Sequence, residues 1–386
     1  MPSNHIFTVN AQTFNVHLNY MFAGTGKDGS AHQAGALADI LGVRPGDNLV
    51  FYVEKYGFYG FFQAKSSDGR LVFYEPSEDQ YLDQELGGKT LTYRVFIEPS
   101  RLGVFRYGVP EWDATENPIN ILEQKVFHMQ WSWIFKKLKG GRGCTSIPKE
   151  EFELLKGIID QGNERLPESE RYGFNNGEVV PIRESFEYKG DTSRSPFLHS
   201  DAKTIITEDD LRIFFSANAG LNHILDVVLR PEDCGRIVYI ANETKCSFGL
   251  RSIDLLFVTE KNKCLLIELK NKYEYNEKLL NQIITYSRWI SSYKNYLHEI
   301  VPILILREPR LYPSNARGYL FKYLSKDDCK ARKVSTWYRD IVSKIDELRV
   351  ALNNANIDKL SALQAYEFHT DDNNTLLSFS RLGNGR

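Results

Sequence analysis

The sequence predicts two domains, an α+β N-terminal domain and an α/β C-terminal domain. The chain has 386 residues, which is longer than one ordinary domain and long enough for two hydrophobic cores. Short runs with β-type alternation fill residues 1–110, whereas apolar strands alternate with helical patterns after residue 200. Residues 163–200 are rich in Asn, Glu, Ser, Gly and Pro and lack apolar periodicity, which predicts a linker. We therefore expect domains at residues 1–162 and 201–350, followed by a C-terminal tail at residues 351–386 of which about the last fifteen residues are frayed.

The N-terminal domain is predicted to be a small β-barrel with helices. Its strands are short, rich in aromatic and β-branched residues, and separated by Gly, Asp and Ser. We expect them at residues 6–9, 48–53, 57–64, 71–74 and 91–97, with a helix at 32–41. Such a density of short strands is typical of barrels, in which few strand edges stay exposed.

The C-terminal domain is predicted to be a mixed sheet flanked by helices. A helix begins at Thr207, where Asp210 three residues later completes a capping box. An apolar hairpin, an amphipathic helix, a buried strand and a final amphipathic helix follow, and we expect them at residues 251–270, 277–293, 301–306 and 336–353. Alternation of strands with helices of this length is typical of a sheet covered by helices.

Three charged residues interrupt the apolar hairpin. Asp254 lies in its first strand, and Glu268 and Lys270 end its second strand. Residues two apart in a strand point to the same face, so Glu268 and Lys270 project together, and Asp254 can lie across from Glu268. Two carboxylates suit a hard cation such as Mg²⁺, and an adjacent ammonium can orient a water or neutralise a phosphate. A lone Glu-x-Lys is most often an exposed ion pair, but the apolar residues 265–267 favour a buried strand.

These residues resemble the PD-(D/E)xK nuclease superfamily. The match consists of Asp254, a spacer formed by residues 255–267, and then Glu268 and Lys270 in a Glu-x-Lys motif. Residues 251–256 are also similar to the Arg-x-Ile-Asp-Leu-Leu segment of the NucS-like branch, although isoleucine precedes Asp254 where the family name has proline. The resemblance covers roughly residues 204–290 and implies a restriction-endonuclease-like fold.

The resemblance implies roles for individual residues. Asp254 and Glu268 would bind Mg²⁺, for which Mn²⁺ can substitute, and Lys270 would poise the attacking water. Four further residues match the family's flanking segments, with catalysis implied for Gln282 and Glu208 and DNA binding implied for Arg251 and Tyr286. From the residues alone, Tyr286 is equally well explained as a core aromatic, and Glu208 as a charge that complements a helix N-terminus.

The N-terminal domain resembles the PUA-like fold, especially its EVE branch. The similarity rests on a Pro-Gly-Asp turn at residues 45–47, a Gly-bounded aromatic strand at 57–62, and residues 133–152. It implies that a modified or flipped base is recognised by aromatic stacking. The candidate stacking residues are Tyr20, Phe22, Trp112 and Trp131, although packing in a core is the commoner role of each. A basic run beside glycines supplies candidates for contact with the phosphate backbone, namely Lys136, Lys137 and Arg142.

Together these patterns predict a Mg²⁺-dependent DNA endonuclease of the restriction type. Such an enzyme either acts independently of base modification or requires a modified base, and the sequence leaves both forms open. Because one active site cuts one strand, cleavage of both strands would require a homodimer or two binding events. Two alternatives stay open. One is a NucS-like nuclease acting on mismatched, single-stranded or structured DNA, and the other is a nucleic-acid binder without catalysis.

Composition excludes several other classes. The net charge of −2 argues against a polybasic binder, so contact with DNA must use a local patch. We expect a cytoplasmic protein without a membrane span, because no run of eighteen apolar residues and no secretion signal occurs. The five cysteines include no Cys-x-x-Cys pair, which argues against structural zinc. Residues 24–27 (GTGK) lack the first glycine and the Ser or Thr of a phosphate-binding loop, so we expect no NTP.

Overall fold

The computed structural model describes residues 2–26, 33–67, 70–71, 73–74, 82–89, 91–111, 143–184, 186–190, 204–245, 252–271, 277–293, 296–308 and 334–382. The chain forms two compact units. The first comprises residues 1–199 and 238–245, and the second comprises residues 200–237 and 246–386. Each unit has its own mixed sheet with helices, so the predicted two-domain α+β architecture is confirmed.

The first unit contains twelve described strands and three described helices. The strands are β1 (Asn4–Val9), β2 (Phe22–Thr25), β3 (Asn48–Val53), β4 (Gly57–Ala64), β5 (Ser66–Ser67), β6 (Arg70–Leu71), β7 (Phe73–Tyr74), β8 (Tyr93–Pro99), β9 (Cys144–Ile147), β10 (Tyr172–Asn175), β11 (Glu178–Pro181) and β12 (Ile237–Lys245). The helices are α1 (Ala11–Tyr20), α2 (Gln33–Leu41) and α3 (Lys149–Asp160). All but the first residue of β12 cluster with this unit.

The main sheet of the first unit is curled into a half-barrel. Its strand order is β2-β8-β4-β3-β1-β9, with β7 also paired to β8. Strands β1 and β3 are parallel, and the other pairs in this order are antiparallel. Phe152 and Leu155 of α3 join Val50 and Phe61 of the sheet in one buried cluster. Helix α1 begins at Asn10, whose side chain caps it within a capping box.

The region that we predicted as a linker contains a hairpin. Strands β10 and β11 pair antiparallel around Asn176 and Gly177, both of which have positive φ. Asn-Gly is the commonest pair at such a two-residue turn, because both positions need left-handed backbone. The hairpin belongs to the first unit, since Tyr172 is fully buried and the Phe174 ring lies 5.0 Å from that of Phe14 in α1. Because polar residues flank Tyr172 and Phe174 in the sequence, no apolar pattern indicated that these two aromatic side chains pack against the rest of the unit.

The second unit contains five helices and five strands among its described residues. The helices are α4 (Glu208–Asn218), α5 (Asp226–Leu229), α6 (Pro231–Cys234), α7 (Glu277–Tyr293) and α8 (Val334–Asn354), with a 3₁₀ turn at His223–Leu225. The strands are β13 (Ser252–Thr259), β14 (Lys263–Lys270), β15 (Glu299–Arg307), β16 (Gln364–Thr370) and β17 (Leu376–Arg381).

These five strands are hydrogen-bonded in sequence order. The pairs β14–β15 and β15–β16 are parallel, whereas β13–β14 and β16–β17 are antiparallel. Apolar side chains of α7 and α8 cover one face, where Ile283 and Leu348 join Leu304 in a buried cluster. The tail that we expected at residues 351–386 is instead sheet, because it holds β16 and β17 with Phe368 fully buried.

Candidate active site

The β13–β14 hairpin brings the two predicted carboxylates together. In its register Leu255 lies opposite Ile267, so the next position places Asp254 opposite Glu268. A hydrogen bond fixes the Asp254 side chain, because the backbone N–H of Leu269 donates to its Oδ2 at 2.8 Å. The antiparallel pairing of two apolar strands thus sets the carboxylates on one face of the sheet.

Lys270 completes the cluster at the end of β14. Its Nζ lies 2.7 Å from Glu268 Oε1 and 4.0 Å from Asp254 Oδ2. It also donates to the backbone carbonyl of Leu269 at 2.8 Å. The structure therefore brings Asp254, Glu268 and Lys270 to one point, as the alternation of the strands predicts.

Burial makes the Glu268 carboxylate costly to ionise. The residue is only 2% exposed, and its Oε2 has no hydrogen-bond partner among the described residues. Burial and then the neighbouring charge of Asp254 raise the pKa of Glu268 to about 8, although Lys270 opposes the shift. Burial also raises the pKa of Asp254, again against Lys270. Burial alone would lower the pKa of Lys270, but attraction to Glu268 and Asp254 outweighs it and raises that pKa.

This donor set fits a hard divalent cation. Glu268 Oε2 is a buried acceptor without a donor, and a cation beside it would offset the repulsion between the two carboxylates. The described residues contain no group of three or more His, Cys, Asp and Glu side chains that could hold a metal ion. Asp254 and Glu268 would supply two oxygen ligands, and Mg²⁺ commonly retains several waters in such sites.

Glu208 lies at the first turn of α4 and reaches the end of β14. Its Oε1 accepts a hydrogen bond from the backbone N–H of Asn271 at 3.1 Å. Its charge contributes to the raised pKa of both Asp254 and Glu268. Asn271 in turn accepts a bond from Arg307 at 3.0 Å. Sequence reasoning missed Asn271 and Arg307. Arg307 is a charged residue at the end of the apolar run of β15, which is the same signal that identified Lys270 at the end of β14.

Tyr286, for which the resemblance implied DNA binding, is a buried aromatic in this structure, which is the alternative that its residue type left open. It shares a face of α7 with Gln282, whose Nε2 lies 3.4 Å from the Tyr286 hydroxyl. That face packs inward, so Tyr286 is fully buried and its hydroxyl donates to the carbonyl of Ser252 at 2.7 Å. Helical spacing placed the pair correctly on one face but gave no information on where the face points. Gln282 is half-buried.

The candidate base-stacking residues of the first unit divide into two groups. Phe22 is fully buried, with the Arg94 guanidinium 5.0 Å from its ring, so it is a core residue rather than a pocket residue. Tyr20 lines a cavity of about 630 Å³. Trp112 and Trp131 lie outside the described residues, as do the predicted DNA contacts Arg251, Lys136, Lys137 and Arg142.

The cavity beside Tyr20 combines amide and aromatic side chains. One face of α1 contributes Gln12, Asn15 and Asn19. The lining also includes Phe174 and Phe186, and the Phe186 ring packs edge-on against Tyr20 at 5.4 Å. Phe174 lies in β10, within the predicted linker, so its place in the cavity was not foreseen.

Comparisons with known proteins do not identify a family. No model of a known protein family matches the chain, and no curated protein matches it. Among solved structures, the chain is similar to SfsA of Pyrococcus furiosus in complex with Ca²⁺, at 15% sequence identity and a TM-score of 0.22. The match covers 42% of this chain and 60% of that chain. A likeness at this level establishes neither family nor function.

Within the described part of the chain, no helix is both long enough and apolar enough to cross a membrane.

Proposed function

We propose that the protein is a Mg²⁺-dependent DNA endonuclease, with a restriction-endonuclease-like second unit and a PUA-like first unit. The supporting observation is the buried Oε2 of Glu268, which has no hydrogen-bond partner among the described residues and lies in one cluster with Asp254 and Lys270. Such an arrangement is unfavourable by itself, because the described donors leave one carboxylate oxygen unsatisfied. A divalent cation would satisfy it.

The residues have separate roles in phosphodiester hydrolysis. Asp254 and Glu268 hold the cation, which supplies charge stabilisation at the scissile phosphate when bound. The Lys270 ammonium, fixed by Glu268 and the Leu269 carbonyl, orients the attacking water and offsets negative charge that develops on the phosphate. Attack by the water forms a new P–O bond and breaks the P–O bond to one sugar oxygen. That oxygen takes up a proton and becomes the hydroxyl end, the other strand end keeps the phosphate, and the proton is balanced by the one that the water loses.

The test compares Lys270→Ala and Asp254→Asn with a matched control on the same strand. Lys263 opens β14 and pairs with Glu299 at 2.7 Å, so Lys263→Ala also removes a lysine–glutamate pair from this strand. With Mg²⁺ and duplex DNA, we expect both site variants to lose about 10²-fold or more in cleavage rate, and the control to keep the rate of the natural protein. Equal rates in all four folded proteins would refute the proposal. Mg²⁺-dependent binding without cleavage by the natural protein would instead favour the non-catalytic alternative.

We propose further that the cavity beside Tyr20 reads an extruded base. Its aromatic side chains can stack on a planar ring, and its amide side chains can donate to and accept from the edge of that ring. Among the described residues, its lining includes one carboxylate, Glu85, and no Lys or Arg, which favours a neutral ring over a phosphate. Tyr20→Ala should therefore remove a preference for modified over unmodified duplex, whereas Tyr107→Ala, which truncates an exposed tyrosine outside the cavity, should retain it. A Tyr20→Ala protein with unchanged preference would exclude this role and leave the cleavage proposal intact.

The NucS-like alternative makes a different prediction for the same assay. Preferential cutting of mismatched or single-stranded DNA over modified, fully paired duplex would support it. In either case, cleavage of both strands requires a homodimer or two successive binding events. The order of appearance of nicked and linear plasmid distinguishes these two routes.

A further inference from the structure

The cavity beside Tyr20 contains one aromatic ring that is fixed by its neighbours. Phe174 lies in β10 and lines the cavity. Its ring packs edge-on against the rings of Phe14 at 5.0 Å and Tyr59 at 5.4 Å. The Tyr59 hydroxyl also donates to the carbonyl of Gly177, in the turn of the same hairpin, at 2.8 Å. These contacts hold the Phe174 ring in one orientation, so the cavity is already shaped before a planar ligand enters.

Asn15 lines the same cavity, and a hydrogen bond fixes the orientation of its side chain. The backbone N–H of Phe174 donates to Asn15 Oδ1 at 2.8 Å. A backbone N–H can only donate, so the amide oxygen must face β10 and the reversed amide is excluded. The Nδ2 group makes no hydrogen bond among the described residues. Asn15 therefore has its two N–H donors left for a ligand, whereas its oxygen is engaged by the hairpin.

The other two amides that α1 contributes are not oriented in this way. Gln12 and Asn19 lie about one turn on either side of Asn15. Gln12 is exposed, and its Nε2 donates to the carbonyl of Glu85 at 3.1 Å. The backbone carbonyl of Asn19 accepts from Arg171 at 2.8 Å, but within the described part of the chain no bond orients its side chain. Of these three amides, Asn15 is thus the one that is half-buried and presents donors in a fixed direction.

We propose that Asn15 determines which edge of an extruded base the cavity accepts. Its donors pair with a ring nitrogen or a carbonyl oxygen that has a free lone pair, so the base enters with such an acceptor towards α1. A base whose acceptor is replaced by C–H, or blocked by alkylation, leaves the Nδ2 group without a partner. The inference rests on the proposal that this cavity reads a base, and it adds the requirement for a free acceptor on the edge of that base.

The test uses duplex DNA with one unpaired base. Four duplexes carry C, A, G or T opposite an abasic position, because an unpaired base is extruded at the cost of its unstacking alone. Fluorescence anisotropy of a labelled strand, with a metal chelator present, gives the affinity of the whole protein without cleavage. The quantity compared is the ratio of the affinity for each of these duplexes to the affinity for the fully paired duplex. Contact with the DNA backbone is common to both and cancels in this ratio.

The base with the largest ratio is then compared with an analogue that lacks the acceptor. The analogue carries C–H in place of a ring nitrogen or of a carbonyl group. In the natural protein the ratio should fall about three- to tenfold, which corresponds to the loss of one hydrogen bond. Asn15→Asp keeps an oxygen for the Phe174 N–H but turns the donor into an acceptor. It should lower the ratio for the parent base at least about tenfold and abolish the preference over the analogue.

Asn222 provides a matched control in the second unit. It is also half-buried, and its Oδ1 accepts from the backbone N–H of Ile224 at 3.0 Å, but it does not line the cavity. Asn222→Asp therefore makes the same exchange at an asparagine with the same kind of bond. It should change the ratio by less than about twofold. Thermal unfolding of both variants shows that each one folds.

Two results would overturn the inference. One is an analogue that binds the natural protein as tightly as its parent base, which needs no variant to fold. The other is a folded Asn15→Asp protein that keeps the ratio of the natural protein. Tyr20→Ala separates the two proposals. A ratio near one for every base, or a ratio that Tyr20→Ala leaves unchanged, contradicts base reading by this cavity and this inference with it. A ratio that depends on Tyr20 but not on Asn15 contradicts this inference alone.

Discussion

Replacement of Glu268 by Gln should stabilise the metal-free protein at alkaline pH. In the folded protein burial raises the pKa of Glu268 from 4.5 to about 8. The folded state therefore keeps a proton that the unfolded state has lost, and the free energy of unfolding falls as pH rises between these two values. Gln has no proton to lose and keeps the shape of the side chain, so Glu268→Gln should remove this decline.

The magnitude follows from the same pKa. A change from 4.5 to about 8 corresponds to on the order of 5 kcal/mol, since one pKa unit is about 1.4 kcal/mol. Solvent screening reduces this little, because Glu268 is only 2% exposed. We therefore expect Glu268→Gln to gain several kcal/mol over the natural protein near pH 9, and to differ from it little near pH 4.5.

Urea unfolding with a metal chelator, followed by circular dichroism at a series of pH values, measures this difference. Glu299→Gln is the control with the opposite sign. Partial burial would raise the pKa of Glu299, but bonds from Lys263 and Ser361 outweigh it and lower that pKa. Glu299→Gln should therefore lose stability above about pH 4.5 and lose less as pH falls. The reasoning would be refuted if the difference in free energy of unfolding between Glu268→Gln and the natural protein did not change with pH. It would also be refuted if Glu268→Gln were the less stable of the two near pH 9.

Three further outcomes are expected. Mn²⁺ or Mg²⁺ at about a hundred times its dissociation constant should stabilise the natural protein by about 2.7 kcal/mol and leave Asp254→Asn unchanged in the same thermal scan; equal stabilisation would place the cation elsewhere. Leu304→Ala, in the buried cluster beneath α7 and α8, should cost about 2–5 kcal/mol in urea unfolding, whereas Val350→Ala, 59% exposed, should cost less than about 0.5 kcal/mol. Thr207→Ala should cost about 1 kcal/mol and speed amide exchange in the first turn of α4; unchanged exchange would show that the cap is dispensable.

The centre of the candidate site could be predicted from sequence because its geometry is local. Asp254 and Glu268 lie on adjacent strands of one hairpin, and Glu268 and Lys270 are two residues apart on one strand, so strand alternation alone brings them together. Arg307 and Asn271 meet only because β14 pairs parallel with β15, after an intervening helix. Parallel register over that distance is not encoded in any local pattern.

Most predicted elements were found, and those missed have identifiable causes. Helix α1 contains Asn, His and Thr, which are weak helix formers, and it relies on the Asn10 cap and on packing of Phe14. The β10–β11 hairpin carries a recognisable Asn-Gly turn, but its strands are only four residues each. Strands β16 and β17 alternate apolar and polar residues, and their position after a long helix suggested a tail.

The return of the chain to the first unit through β12 has a practical consequence for dissecting the protein. Ser3 and Ser146, both buried, donate to the carbonyls of Val238 and Ile240, and the amide of Asn242 donates to the buried carboxylate of Asp39. A fragment that ends near residue 199 lacks these carbonyls and the Asn242 amide. The hydroxyls of Ser3 and Ser146 would then lose these acceptors, and the Asp39 carboxylate would lose this donor. Expression of the amino-terminal half alone should therefore yield poorly soluble material, and a shortened version that splices residues 238–245 back in is the better starting point.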